Sequence, residues 1–305
     1  MYLVLFFLLL FGAIQAQKDP AWPIDNCTSI AESCRERDKK PARSCDIICS
    51  PENCTINVVV ILPKNNTYVV SMDKAVTTLL IAEEDAKNQS LLNNNVDLNV
   101  VALDDNCEQA FATIASLDAY TEYCAHVIFG PVCDFCLASV GRIAKFIGYD
   151  GIPVITPGGF TYDFTKKKTE CQDEYYMVVN TGLVDYRSFG EFFHLLMKEY
   201  NWQKVALMYE KHDQNEVGGE RSCQLLLESV MEDILEIEKF TYNDGDLFLS
   251  GLSYEEHLRT EVGVKYGIIV LCSNGENTRR IMLKAERLKM IDKGEYVFFN
   301  FLLHN

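Results

Sequence analysis

The sequence is poor in positive charge. Against 44 Asp and Glu it carries 28 Lys and Arg, a formal net charge of −16. A phosphate backbone or an anionic membrane surface would be repelled, so nucleic acid is excluded as a main partner. A basic peptide or protein would be attracted, although the same acidity also serves solubility alone. Catalytic signatures are missing as well. There is no Gly-x-Ser-x-Gly elbow, no His-Glu-x-x-His, no phosphate-binding P-loop and no Gly-x-Gly-x-x-Gly. The five histidines (His126, His194, His212, His257 and His304) are scattered. Neither an enzyme nor a cofactor or metal site is expected. Beyond the first residues, no apolar run approaches the roughly 18 residues that suggest a membrane helix.

What is present points outward from the cell. Leu3 to Phe11 is an unbroken apolar run, with small residues Gly12, Ala13 and Ala16 behind it. This reads as a signal peptide over residues 1–16, too short to span a bilayer. The sequence holds 12 cysteines, which in an oxidising compartment are expected to be mostly paired. Sequons at Asn26, Asn53, Asn65 and Asn88 fit a secreted glycoprotein.

Residues 17–55 hold Cys27, Cys34, Cys45, Cys49 and Cys54 among charges, Pro and Asn. They read as a disulfide-tied extension. A zinc site would need paired Cys-x-x-Cys or histidine, and the segment has neither. From Ile56 the grammar alternates. Val58–Leu62 is a β-branched run, then Ala75, Val76, Leu79, Leu80 and Ala86 recur at helical spacing. Leu98–Leu103, Val127–Phe129 and Val154–Thr156 read as strands. Between them lie helices with Ala110, Phe111, Ile114 and Leu117 on one face, and from about Cys133 to Ile147. The pattern repeats downstream. Asp185 caps a helix whose expected face is Phe189, Phe192, Phe193, Leu196 and Tyr200. Val205–Tyr209, Ile268–Cys272 and Tyr296–Phe301 read as strands, with helices at Cys223–Ile234 and from Asn277. Strands alternating with helices imply βαβ units and parallel sheets, here too many for one small sheet. Two doubly wound lobes are expected, residues 56–201 and 202–305, with the crossing near Asn201–Trp202.

Four cysteines fall at strand–helix elbows. Cys107 follows Asp104-Asp105-Asn106, and Cys133 ends Phe129-Gly130-Pro131-Val132-Cys133. Cys223 closes Glu220-Arg221-Ser222-Cys223, and Cys272 ends the strand from Ile268. Neighbouring parallel strands set their carboxyl ends side by side, so each pair can come within bonding distance. The string FGPVC followed by Val140-Gly141-Arg142, then ERSC, IIVLCSNGENTRRIML and EYVFFN in that order, resembles the extracellular domains of natriuretic peptide receptors and receptor guanylate cyclases. The resemblance runs from about Ile56 to Phe301.

That resemblance implies the type I periplasmic-binding-protein fold, α/β with two lobes joined by a hinge, the second lobe incomplete. It implies disulfides Cys107–Cys133 and Cys223–Cys272. It also implies a peptide hormone gripped between two protomers rather than inside the interlobe cleft, and a homodimer formed through the first lobe by helices near the Cys107 and Cys133 elbows. Family contact positions carry over to Phe135, Arg142 and Glu228. Gln109 and Gln224 depart from the pattern, where the family has an acid and an aromatic. The family holds a chloride beside the first disulfide through a serine. Asp105 stands in that place here, and a carboxylate beside a buried anion is costly, so a halide site is expected to be weakened or absent.

Plainer readings exist for each residue. Arg142 could be a solvated cation, Phe135 core, and Glu228 helix surface. Lys166-Lys167-Lys168 reads as a solvated loop face. Cys133-Asp134-Phe135-Cys136 has redox-motif spacing, but Cys133 is already assigned to Cys107 and the thioredoxin element order is missing. The remaining cysteines (Cys27, Cys34, Cys45, Cys49, Cys54, Cys124, Cys136 and Cys171) are even in number, so full pairing is possible, with open connectivity. The functional expectation is the ligand-binding region of a receptor of guanylate cyclase type, extracellular, attached to a membrane only through a C-terminal segment beyond residue 305. A secreted decoy for the same peptide is the alternative, as is a small-molecule sensor of the same fold.

Overall fold

The computed structural model describes residue 45 and residues 53–303, apart from 148–150, 171, 183–184, 236–240, 247–250, 264 and 293. The leader, the sequon at Asn26 and Cys27, Cys34, Cys49 and Cys171 lie outside the described residues.

The first lobe runs β1 (Cys54–Leu62), α1 (Met72–Asn88), β2 (Val96–Asp104), α2 (Gln109–Thr121), β3 (Val127–Phe129), α3 (Asp134–Ala144), β4 (Val154–Thr156) and β5 (Val178–Asn180). Its strands are all parallel, in the order β2-β1-β3-β4-β5. Val58–Leu62 is buried throughout because β1 is central, and a parallel strand covered on both faces must be apolar on both. β1 begins at Cys54, paired with Val96, so the first lobe takes two residues assigned above to the extension.

The second lobe runs α4 (Tyr186–Glu199), β6 (Lys204–Tyr209), α5 (Asn215–Gly218), α6 (Ser222–Leu235), β7 (Thr241–Asp246), α7 (Tyr254–His257) continuing into a π turn at Leu258–Val262, β8 (Ile268–Cys272), α8 (Gly275–Arg287) and β9 (Val297–Phe301). Its parallel order is β7-β6-β8-β9. In both sheets the order reverses beside the first strand, and the crevice outside the carboxyl ends there is where such folds hold ligands. Asn274, not Asn277, caps α8: its side chain accepts the Asn277 N–H at 2.8 Å.

Two helical faces differ from expectation. On α2 the buried side is Ala112, Ala115, Ser116 and Ala119, while Phe111, Ile114 and Leu117 are about half exposed at 54%, 55% and 48%. The small residues let α2 lie close on the sheet and α3, which turns the bulky stripe outward. On α4 the inward set is Tyr186, Gly190, Phe193 and Met197. Phe192 and Tyr200 face solvent, and of the expected face only Phe193 is buried. Gly190 is what brings α4 against α6, since a Cβ there would lie 3.0 Å from the Ser229 carbonyl oxygen. Tyr186, Phe193 and Met197 thus join the second-lobe core. The crossing between lobes falls between Asn180 and Tyr186, one helix earlier than Asn201–Trp202.

Both elbow disulfides form. Cys107–Cys133 has Cα atoms 5.7 Å apart and Cys223–Cys272 5.3 Å. Cys45–Cys124 ties the extension to the end of α2, and Cys54 is disulfide-bonded too. Cys136 is a free, buried thiol, so full pairing does not occur: Cys136 points into the core from the inner side of α3, beside Leu137 and Val140. Burial pushes its thiol well up, opposite to what a redox Cys-x-x-Cys needs. Replacing Cys223 and Cys272 together by serine is expected to cost about 3–4 kcal/mol in the chain-entropy model. Urea unfolding of the double variant measures it, and a loss under about 1 kcal/mol would contradict a structural role for this clip.

Candidate functional site

The elbows bring the lobes together. Asp104 Oδ1 accepts the Asn106 N–H and Asp105 Oδ1 the Cys107 N–H, each at 2.9 Å. These bonds hold Asn106 and Cys107 in left-handed backbone (φ 49° and 53°) and present Cys107 to Cys133. Gly219 of the second lobe lies directly against that disulfide, and the Val69 N–H donates across the lobes to the Glu216 carbonyl at 2.9 Å. Asp105 is fully buried and its Oδ2 has no partner. Burial pushes its carboxyl up to about 6, against the Cys107 N–H bond that favours the anion.

Beside this contact a cavity of about 460 Å³ opens between the lobes. One wall is α3 (Asp134, Phe135, Ala138 and Arg142) with residues Thr161–Phe164, Lys166 and Tyr175, and the other is α6, through Leu225, Glu228, Ser229 and Glu232. Its floor is organised by Asp134, in the first turn of α3, where a carboxylate is favoured by the helix dipole. The two Asp134 oxygens accept the Phe160 N–H at 3.0 Å and the Thr161 N–H at 3.2 Å. Complete burial still pushes Asp134 up to about 7. Phe160 packs against both cores and stacks on Tyr186 at 5.7 Å. Thus Asp134 fixes the segment that bridges the lobes. Ser229 Oγ accepts the Tyr162 N–H at 3.4 Å, a second bond across the cleft.

Phe135, Arg142 and Glu228 all line this one cavity. The resemblance placed hormone contacts between two protomers, and here the three positions converge inside a single chain. Phe135 carries the Arg221 guanidinium 5.8 Å from its ring centre. Arg142 is paired with Glu174 and sits 5.5 Å from the Tyr175 ring centre. Burial pushes Tyr175 up to about 12, which keeps its hydroxyl a donor. Glu228 accepts from Gln224 Nε2 at 2.7 Å, so the residue that departs from the family pattern orients the one that matches it. The lysine run is not simply solvated. Lys166 lines the cavity and pairs with Asp163, while Lys167 pairs with Glu170. Asp134, Tyr162, Tyr175, Ser229 and Glu232 were not foreseen. Asp134 alone left a trace, as an acid directly after an elbow cysteine. No helix among the described residues is long and apolar enough to cross a membrane. No group of three or more His, Cys, Asp or Glu suited to a metal ion occurs among them.

A family model described as the receptor family ligand binding region matches residues 75–304. The chain is 27% identical over 263 residues to atrial natriuretic peptide receptor 3 of Rattus norvegicus, covering 82% of this chain and 45% of that receptor. It is 25% identical over 283 residues to the receptor-type guanylate cyclase gcy-28 of Caenorhabditis elegans, covering 80% of this chain and 22% of the cyclase. The chain therefore spans less than half the length of these relatives. Among solved structures, the branched-chain amino acid transporter substrate binding protein LivJ of Streptococcus pneumoniae matches with a TM-score of 0.51 at 15% identity, over 81% of this chain and 64% of that one. A solute binding protein from R. palustris matches with a TM-score of 0.54 at 11% identity, over 81% and 61%. These structures share the type I periplasmic-binding-protein architecture with the chain. With the family model matched over most of its length, and natriuretic peptide receptors and a receptor guanylate cyclase among its relatives, the chain belongs to the receptor family ligand binding region family.

Proposed function

We propose that this chain is the extracellular ligand-binding region of a natriuretic-peptide-receptor-like receptor of the guanylate cyclase type, and that its ligand is a peptide hormone. The observation that carries the reading is the match to natriuretic peptide receptor 3 over 82% of the chain, with both elbow disulfides in place. The net charge of −16 suits a basic peptide. Two protomers associate through the first lobe. The exposed stripe Phe111, Ile114 and Leu117 on α2 supports this, because an apolar helix face of that kind favours a partner over water. The Asp105 carboxyl is buried at the first elbow, where burial already disfavours its ionised form, and a second anion beside it would add repulsion, which argues against a halide there.

In this reading Phe135 offers an aromatic anchor, Arg142 a fork for a carboxylate or carbonyl, and Glu228 a partner for a basic ligand residue. The test is a titration of a basic, disulfide-cyclised natriuretic-type peptide against the wild type and against Phe135→Ala, Arg142→Ala and Glu228→Ala, with sedimentation in parallel. Each variant is expected to weaken binding by about 1–2 kcal/mol, roughly tenfold, and saturating peptide to drive dimerisation. A strictly monomeric chain at saturation, with affinity unchanged in all three variants, would overturn the reading.

A further inference from the structure

We infer that Asn65 and Asn88 carry N-linked oligosaccharides, and that these two glycans shield the outer face of α1 while leaving the stripe on α2 bare. The inference rests on the extracellular reading above and sharpens it, by saying which apolar helix face of the first lobe is open to a partner.

Two helices of this lobe expose bulky apolar residues. On α2 these are Phe111, Ile114 and Leu117. On α1 no residue is buried. Leu80 and Ile81 are 51% and 57% exposed, and Leu91 beyond the helix end is 79% exposed. Sequons separate the two faces. Asn65-Asn66-Thr67 and Asn88-Gln89-Ser90 bracket α1, and no sequon lies on α2 or in the turns at its ends.

Both asparagines suit the modification, and each is exposed. Asn65 lies in the loop between β1 and α1. Its Oδ1 accepts the Thr67 N–H at 3.0 Å, and its carboxamide nitrogen has no partner among the described residues. Asn66 beside it holds the loop together, donating from Nδ2 to Asp73 at 3.2 Å and accepting from Ser71 Oγ at 2.7 Å. Lys74 of α1 ties the loop down by donating to the Tyr68 carbonyl at 2.9 Å. Asn88 is the last residue of α1, just before the left-handed turn at Ser90 (φ 59°). It stands two turns after Ile81 and shares its face. Side chains on a helix lean towards its N-terminus, so a glycan on Asn88 is directed back over Asp85 and Ile81. The 17-residue helix is about 25 Å long, and the Asn65 glycan rises at its other end. A bulky, hydrated oligosaccharide at each end covers an apolar face that would otherwise invite association. Asn53 is not included, because the middle residue of its sequon, Cys54, is disulfide-bonded and its N–H is held by the Asn95 carbonyl at 2.8 Å.

The transfer is redox-neutral. The asparagine Nδ2 loses a proton and bonds to C1 of the sugar, the C1–O bond to a lipid-linked diphosphate breaks, and the lipid diphosphate leaves. The donor is a lipid-diphosphate oligosaccharide of the secretory route.

The test uses the full chain secreted from eukaryotic cells. Glycosidase release in heavy-oxygen water, read by peptide mass spectrometry, maps the occupied asparagines. Asn65 and Asn88 are expected to be occupied, and Thr67→Ala and Ser90→Ala each to remove one glycan. Enzymatic deglycosylation of the folded protein is then expected to shift its sedimentation to larger species. Ile81→Lys should cancel that shift, and Leu195→Lys, at an exposed position on α4, should leave it in place, with circular dichroism unchanged in both. A secreted chain with either asparagine unmodified, no shift on deglycosylation, or a shift that survives Ile81→Lys overturns the inference. Those results leave the hormone reading intact, because the peptide titration reads it separately. A chain modified at both sites that binds no peptide overturns the hormone reading alone.

Discussion

Gly219→Val is expected to lower stability by about 4 kcal/mol, combining roughly 1–3 of backbone strain with roughly 1–3 of overpacking. Gly219 has φ +89°, where side-chain-bearing residues are strained. A Cβ there would lie 2.8 Å from Cys107 Sγ, 2.8 Å from Cys133 Cβ and 3.1 Å from Cys133 Sγ. These atoms cannot give way. Cys133 is buried in the first-lobe core, and the disulfide anchors it at both ends. Relief has to come from moving the second-lobe segment off the first, which breaks the Val69–Glu216 bond between lobes. Gly251→Val is the control. Its φ is also positive, at +66°, but nothing lies within 4 Å of the added carbon, so only the strain of about 1–3 kcal/mol remains. Urea unfolding of both variants gives the comparison. Equal losses would mean that the Gly219 contact contributes nothing to holding the lobes together.

Asp134→Asn is expected to reverse part of the pH dependence of stability. Burial raises the folded Asp134 carboxyl from 3.8 to about 7. Between those values the folded chain keeps a proton that the unfolded chain releases, so this group's contribution to stability falls as pH rises. The slope is about 1.4 kcal/mol per pH unit for one proton. Asp105 acts in the same direction over a narrower window, 3.8 to about 6. His257 opposes both. It is buried with neither ring nitrogen hydrogen-bonded, and burial lowers its pKa from 6.5 against the pull of Glu261. Its stabilising contribution therefore fades as pH drops below 6.5. Taking the difference between wild type and Asp134→Asn cancels the other groups. From pH 4 to pH 8 that difference should move by about 4 kcal/mol in favour of the asparagine variant. Chemical unfolding at both pH values measures it, and a flat difference would show that Asp134 is not a desolvated carboxyl.

The alternation of β-branched runs with helical spacing sufficed for the class of fold, because a parallel strand covered on both faces has to be apolar along its length. Val58–Leu62 and Ile268–Cys272 carry that signal alone. Cysteines at strand ends could meet in pairs, and it was the resemblance to the receptor family that implied the two elbow disulfides the structure contains. The strands at Val178–Asn180 and Thr241–Asp246 were not legible. One is three residues long, and the other is rich in Asn, Asp and Gly, which strands usually avoid. Helix orientation was misread on α2 and α4 for a common reason. Periodicity marks an apolar stripe but does not say which side faces the sheet, and on both helices small residues, Ala112, Ala115 and Gly190, decided the approach. The chain order also hid where the lobes divide, because only packing assigns α4 to the second core. Phe135, Arg142 and Glu228 were named as separate positions on separate elements. Their meeting in one cavity, with Tyr162 and Tyr175 opposite Glu232, depends on two lobes closing over residues up to about a hundred positions apart. That closure is set by Asp134, Phe160 and Gly219, contacts between elements that no local pattern encodes.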